Sequence, residues 1–159
     1  MISLYAGSFD PITIGHEWVI KNAPGELIVA VANNPDKKYM FTLAKRMMMV
    51  AGAIYNWNPN IRIVTIGNEY LIKYAENYAV NYIIRGIRNA ADFEAEKIYA
   101  DVNREISDIR IPHLFLIPPE HLRGVSSSMV KSLVGPNRWE DVVSRYVSPN
   151  VLEELRAEK

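Results

Sequence analysis

Apolar residues along the chain fall into five short runs, at 2–6, 27–32, 61–66, 82–84 and 113–117, separated by longer stretches where apolar positions recur every three or four residues. Short apolar runs bounded by turn residues read as strands. Several of these are continuous rather than alternating, as expected of strands covered on both faces of a parallel sheet. The intervening stretches, about 15–23, 43–56, 69–79 and 90–107, read as helices. A further helix is expected after Val125. Ser148-Pro149 offers an N-cap and a first-turn proline for a last helix over 149–157. Gly135-Pro136-Asn137 reads as a turn rather than a boundary, so residues 1–159 are expected to form one domain.

This alternation predicts an α/β fold: a doubly wound, parallel, five-stranded sheet of the dinucleotide-binding (Rossmann-like) kind, with right-handed crossovers and strand order 3-2-1-4-5. Ligands of such sheets sit at the carboxyl ends of the strands where the order reverses, between strands 1 and 4. The loops that follow the strands are therefore where chemistry is expected.

The loop after the first strand is Gly7-Ser8-Phe9-Asp10-Pro11-Ile12-Thr13-Ile14-Gly15-His16. A glycine-bearing turn into a helix brings free N–H groups and a positive helix end together, which suits a phosphate. Thr13 is placed to cap that helix. His16, Val19, Ile20 and Ala23 fall on one helical stripe, so the histidine is expected on the sheet-facing side, toward the crevice.

The loop after the fourth strand is Arg85-Gly86-Ile87-Arg88-Asn89, two arginines around a glycine, and guanidinium forks suit phosphate oxygens. Asn89 is placed to cap the next helix, whose expected core stripe runs Ala91, Ala95, Ile98, Val102 and Ile106, with Arg88, Asp92 and Glu96 at four-residue intervals beside it. Asn33-Asn34-Pro35-Asp36-Lys37-Lys38 follows the second strand. Ser126, Ser127 and Ser128 open the helix after the fifth, where one serine suffices as a cap and the others are available to a ligand.

Composition narrows the chemistry. Eighteen basic and eighteen acidic residues cancel, so nothing favours a nucleic-acid binder held by a broad basic face, and an anion site must be built locally. There is no cysteine, and His16, His113 and His121 lack metal-ligand spacing, so no protein metal ligands are expected. No run approaches a membrane span and no leader pattern opens the chain, so a cytoplasmic protein without membrane contact is expected. Neither G-x-S-x-G nor a Walker A motif occurs. What remains is charge stabilisation and positioning, as in phosphoryl or nucleotidyl transfer without a covalent enzyme intermediate. The spacing of Trp57, Trp139, Tyr70, Tyr74 and Tyr78 does not say whether they serve the core or an interface.

On these residues the chain resembles the bacterial-type phosphopantetheine adenylyltransferases, of the T/H-x-G-H nucleotidyltransferase superfamily. The matches are Gly7 to Pro11 with Thr13-x-Gly15-His16; Lys37-Lys38 with Met40-Phe41-Thr42-Leu43 and Arg46; Ile84 to Arg88 with Ala91-Asp92-Phe93-Glu94-x-Glu96; and Ser126-Ser127-Ser128-x-Val130-Lys131. The resemblance implies transfer of the adenylyl group of ATP to 4′-phosphopantetheine, giving dephospho-coenzyme A and pyrophosphate by direct in-line attack, with Mg²⁺, in a homohexamer. It implies catalytic roles for His16, Lys37, Ser8 and Arg88. ATP would be held by Ser8, Phe9, His16, Gly86, Ile87, Arg88, Glu96 and the run Leu122, Arg123, Gly124, Val125, Ser126, Ser127 and Ser128. The acceptor would be held by Ser8, Lys37, Leu71 and Arg85.

The chain departs from the family pattern at Ile14, at Ala95 and at Leu122-Arg123-Gly124, where Arg123 could add a phosphate contact. Two other readings share part of the pattern. A sister enzyme, such as nicotinamide mononucleotide adenylyltransferase or a cytidylyltransferase, has the histidine motif but differs around Lys37 and Arg85. A non-catalytic nucleotide-binding module would not need His16, Lys37, Arg85 and Arg88 together.

Overall fold

The computed structural model describes residues 1–34, 37–55, 57, 60–67 and 69–158. The five strands are β1 (Ile2–Gly7), β2 (Glu26–Ala32), β3 (Ile61–Ile66), β4 (Tyr82–Gly86) and β5 (His113–Leu116). They form one parallel sheet in the order β3-β2-β1-β4-β5, as the alternation predicts. β1 is central: Leu4 pairs with Ile28 on one side and Ile83 on the other. The order therefore reverses between β1 and β4.

The helices are α1 (Ile14–Asn22), α2 (Leu43–Ile54), α3 (Leu71–Asn77), α4 (Ala90–Ile106), α5 (Glu120–Arg123), α6 (Ser127–Leu133), α7 (Trp139–Val143) and α8 (Pro149–Ala157). α5 and α7 carry too few apolar positions to stand out as periodic segments. The expected end of α2 at Asn56, like Pro35 and Asp36 of the loop after β2, lies outside the described residues. Four helices start where capping chemistry places them. Asn89 Oδ1 accepts from Asp92 N–H at 2.9 Å, Ser126 Oγ from Met129 N–H at 3.1 Å, and Ser148-Pro149 and Thr13 open α8 and α1.

Two cores sandwich the sheet. Tyr5, Val29, Val31 and Ile84 face α1, α2 and α6 to α8, while Leu4, Ile28, Ala30 and Ile83 face the other way, with Ile72, Tyr74 and Ala75 of α3. Trp139 and Tyr74 belong to these cores, Trp57 is partly buried, and Tyr70 and Tyr78 are exposed.

α4 corrects the sequence reading. Its expected core stripe buries nothing: Ile98 is 64% exposed, Val102 46% and Ile106 38%. Periodicity marks an apolar face but not the surface that covers it, and β5 offers only four half-buried residues there. Among the described residues no helix is long and apolar enough to cross a membrane.

Candidate active site

A cavity of about 810 Å³ opens at the carboxyl end of the sheet, where β1 and β4 diverge. Ser8, Phe9 and Asp10 enter it from the loop after β1, and Gly15 and His16 from the start of α1. Lys37, Lys38 and Tyr39 come from the loop after β2, and Arg85, Gly86 and Arg88 from the end of β4. Glu96 of α4, Leu122, Val125 and the serines at 126, 127 and 128 close the remaining side. Four loops separated in sequence thus converge on one space, as the topology requires.

Two glycines allow the walls to approach. A Cβ at Gly7 would lie 3.0 Å from the Phe9 ring, and one at Gly86 would lie 3.0 Å from Val19. Phe9 itself adopts φ 47°, a left-handed conformation that bulky residues avoid, and its ring packs edge-on against His16 with centroids 5.3 Å apart.

His16 is held as a neutral donor. Its Nδ1 accepts from Thr13 N–H at 3.1 Å and lies 2.9 Å from Thr13 Oγ1. A main-chain N–H can only donate, so Nδ1 carries no proton and Nε2 does. Burial, aided by the Arg88 charge, pushes the imidazole down to about 4. The ring therefore presents an N–H while remaining uncharged at neutral pH.

The arginines are oriented by carboxylates. Arg88 meets Asp92 through Nε at 2.8 Å and Nη2 at 3.1 Å, and its N–H meets the same carboxylate at 3.1 Å. Arg88 holds the Asp92 carboxyl below its usual range. Arg85 Nε lies 2.7 Å from Glu96 Oε2, a close ion pair whose N–H is not aimed at that oxygen. Burial pushes the Tyr5 phenol up, against the opposing charges of Arg85 and Arg88.

Asp10 of the loop after β1 is a junction between three segments. It is 3% exposed, and its carboxylate accepts from Met40 N–H at 3.0 Å, Phe41 N–H at 2.9 Å and Lys131 Nζ at 2.8 Å. Burial alone would raise its pKa, but Lys131 and the two N–H groups outweigh that, and the carboxyl is held below its ordinary value. Lys131, Lys38, Tyr39 and Tyr5 also line the cavity.

Of the serines, Ser126 caps α6 and Ser127 Oγ donates to Pro11 O at 2.8 Å. Four expected site residues stand outside the cavity wall. Ile87 is 5% exposed in the core, its N–H donating to Leu116 O at 2.9 Å. Leu71 packs with the α3-side core, and Gly124 is the C-cap of α5. Arg123 Nε donates to Pro118 O at 3.2 Å, which directs the guanidinium to main chain rather than into the cavity.

Among the described residues no three His, Asp or Glu side chains gather as a metal site. The cavity's two carboxylates are already engaged, Asp10 with Lys131 and Glu96 with Arg85.

Residues 4–133 match the family model described as cytidylyltransferase-like. The chain is 42% identical to the phosphopantetheine adenylyltransferase of Neisseria meningitidis serogroup C, over 98% of this chain and 92% of the relative. Identity to that of Chromobacterium violaceum is 40%, over 96% of this chain and 94% of the relative. Among solved structures, Plasmodium falciparum nicotinic acid mononucleotide adenylyltransferase complexed with NaAD superposes with a TM-score of 0.68, over 98% of this chain and 94% of that one. At 20% identity that likeness concerns the fold alone.

Proposed function

We propose that this chain, which belongs to the cytidylyltransferase-like family and within it to the phosphopantetheine adenylyltransferases, transfers the adenylyl group of ATP to 4′-phosphopantetheine. The observation that carries the reading is the meeting of an uncharged histidine donor with cations from separate loops, Lys37, Arg85 and Arg88, in one cavity.

An oxygen of the acceptor phosphate bonds to the α-phosphorus of ATP. The bond from that phosphorus to the bridging oxygen breaks, and pyrophosphate leaves with the electron pair. The first obstacle is repulsion: two like charges 4 Å apart repel by roughly 4 kcal/mol at an effective dielectric of 20. Lys37 and Arg85 serve the incoming phosphate, and Arg88 and Ser8 serve the nucleotide. His16 donates its Nε2 proton as a hydrogen bond to the phosphoryl oxygen on which charge accumulates. Because the ring is neutral beforehand, this contact strengthens as charge develops rather than holding the ground state equally tightly.

The donor set does not fit an ion held by the protein alone, so Mg²⁺ enters this reading as part of the MgATP substrate, neutralising phosphate charge that the loops do not reach. Assembly into a hexamer is the other part of the proposal, supported by the uncovered apolar face of α4.

Pyrophosphate release from MgATP, with 4′-phosphopantetheine and separately with nicotinamide mononucleotide as acceptor, tests the reading. Release with phosphopantetheine alone is expected. Release with the mononucleotide alone would reassign the Lys37 and Arg85 loops to a sister reaction, and release with neither would leave a nucleotide-binding module.

A further inference from the structure

Among the described residues, Arg46 of α2 is the largest side chain buried to below 2% exposure. It does not line the cavity, yet its guanidinium gathers the segments that do. Nη1 donates to Ser8 O at 2.7 Å and to Ala32 O at 2.9 Å, the main chain where β1 and β2 run out. Nη2 donates to Asn33 Oδ1 at 2.8 Å, and Nε to Phe41 O at 3.3 Å. The guanidinium carbon sits 4.0 Å above the Tyr39 ring, in cation–π contact. The peptide units of Phe41 are thus gripped from both sides, the N–H by Asp10 at 2.9 Å and the carbonyl by Arg46.

These described partners are neutral: three carbonyls, an amide oxygen and a phenol ring. None of them cancels the charge of Arg46. The carbonyl oxygens of Ser8 and Ala32, where β1 and β2 run out, turn to Arg46 rather than to the crevice that must receive phosphate. A planar five-donor fork covers both of them at once from behind the wall, which a lysine cannot do.

We propose that Arg46 is a positioning residue of this reaction: it fixes the segment bearing Lys37 and Lys38 against the Ser8 loop, and so sets where the acceptor phosphate is held. The inference rests on the adenylyl-transfer reading for its kinetic consequence, but not for its structural one.

The test compares Arg46→Lys, Arg46→Met and Asn33→Ala with the parent protein. Three readouts are taken: thermal midpoint, KM for each substrate with kcat, and reactivity of the Lys37 and Lys38 amines toward acetic anhydride by mass spectrometry. Arg46→Lys keeps charge and loses the fork, so KM for 4′-phosphopantetheine is expected to rise about tenfold, as when charge-assisted hydrogen bonds are lost. KM for ATP should rise by a smaller factor, through the Ser8 main chain that Arg46 also holds, while the amines become more reactive in the folded protein. Arg46→Met should go further in the same direction. If it does not fold, Asn33→Ala, which removes one acceptor and leaves the core intact, must show the same shift in smaller measure. Parental kinetics and parental amine reactivity in folded Arg46→Lys would overturn the proposal. So would equal loss for both substrates in step with a lowered midpoint, the pattern of a merely structural residue. If the parent protein itself turns over no phosphopantetheine, the functional reading fails, and the amine reactivity still decides the role of Arg46.

Discussion

Thr13 fixes the tautomer of His16. The residue that caps α1 gives its main-chain N–H to Nδ1 of the histidine three positions on, at 3.1 Å, with its hydroxyl 2.9 Å from the same nitrogen. A helix cap usually serves the helix. Here the reciprocal contact turns a side chain into a donor of known direction, and it does so within the four residues of the T-x-G-H motif.

Replacing His16 by alanine should lower kcat by about 10²–10³, the loss seen when one preorganised donor to a transition state is removed. Substrate affinity should change far less. Steady-state kinetics with binding measured separately by calorimetry checks this, and equal losses in binding and turnover would contradict the role.

The pH dependence has a definite sign. His16 titrates near 4 in the folded protein, below its ordinary value of 6.5, because burial and the Arg88 charge disfavour the imidazolium. The unfolded chain therefore binds a proton that the folded chain refuses between those values. The contribution of this ring to stability is complete above the unfolded pKa and is lost as pH falls toward the folded one. Histidine NMR should show one ring, assigned by His16→Asn, that does not titrate between about pH 8 and 5. A His16 ring titrating near its ordinary value would refute the neutral, desolvated state.

Asp10→Asn should destabilise the fold by about 3 kcal/mol, because it leaves Lys131 facing a partly buried site without its partner. The Asp10 carboxyl is held below its ordinary value, so its stabilising contribution is present above the unfolded pKa and lost only in strong acid, as pH falls through the folded value. Chemical denaturation of parent and variant at pH 7 measures the difference; a change below about 0.5 kcal/mol would place the pair among ordinary surface contacts.

If the proposed hexamer forms through α4, charges on the outer face of this helix should prevent it without unfolding the chain. Ile98→Glu with Val102→Glu puts two carboxylates on positions that are 64% and 46% exposed. Sedimentation velocity should show a smaller species with an unchanged far-ultraviolet spectrum. An unchanged sedimentation coefficient would remove α4 from the proposed hexamer.

Much of the architecture could be read before the structure because it rests on local chemistry. Asn89 and Ser126 cap helices by a rule three residues long, Thr13 and Ser148 stand at helix starts, and the continuous apolar runs fit buried parallel strands. The convergence of His16, Lys37, Arg85 and Arg88 followed from strand order alone. What escaped depended on tertiary partners. The α4 stripe is a true amphipathic face whose partner no period reveals. Asp10 and Arg46 are charges that a sequence reads as solvated, and both are buried because main-chain groups meet them, from the loop after β2 for Asp10 and from that loop, Ser8 and the end of β2 for Arg46. Arg46 did leave a trace: it shares the helical stripe of Met49, Val50 and Ala53, all buried.

The central place of β1 also sets the order of events during synthesis. Ser3 pairs with Leu27 on one side and with Tyr82 on the other. At about 5–20 residues per second, a ribosome needs on the order of several seconds to pass from β2 to β4. Through that interval one edge of β1, including the wholly buried Leu4, waits unpaired on the nascent chain. Of the five strands, the one that leads into the T-x-G-H motif is therefore made before the others and is among the last protected. Slowing elongation across the 33–81 interval should lengthen its exposure to chaperones and to neighbouring nascent chains.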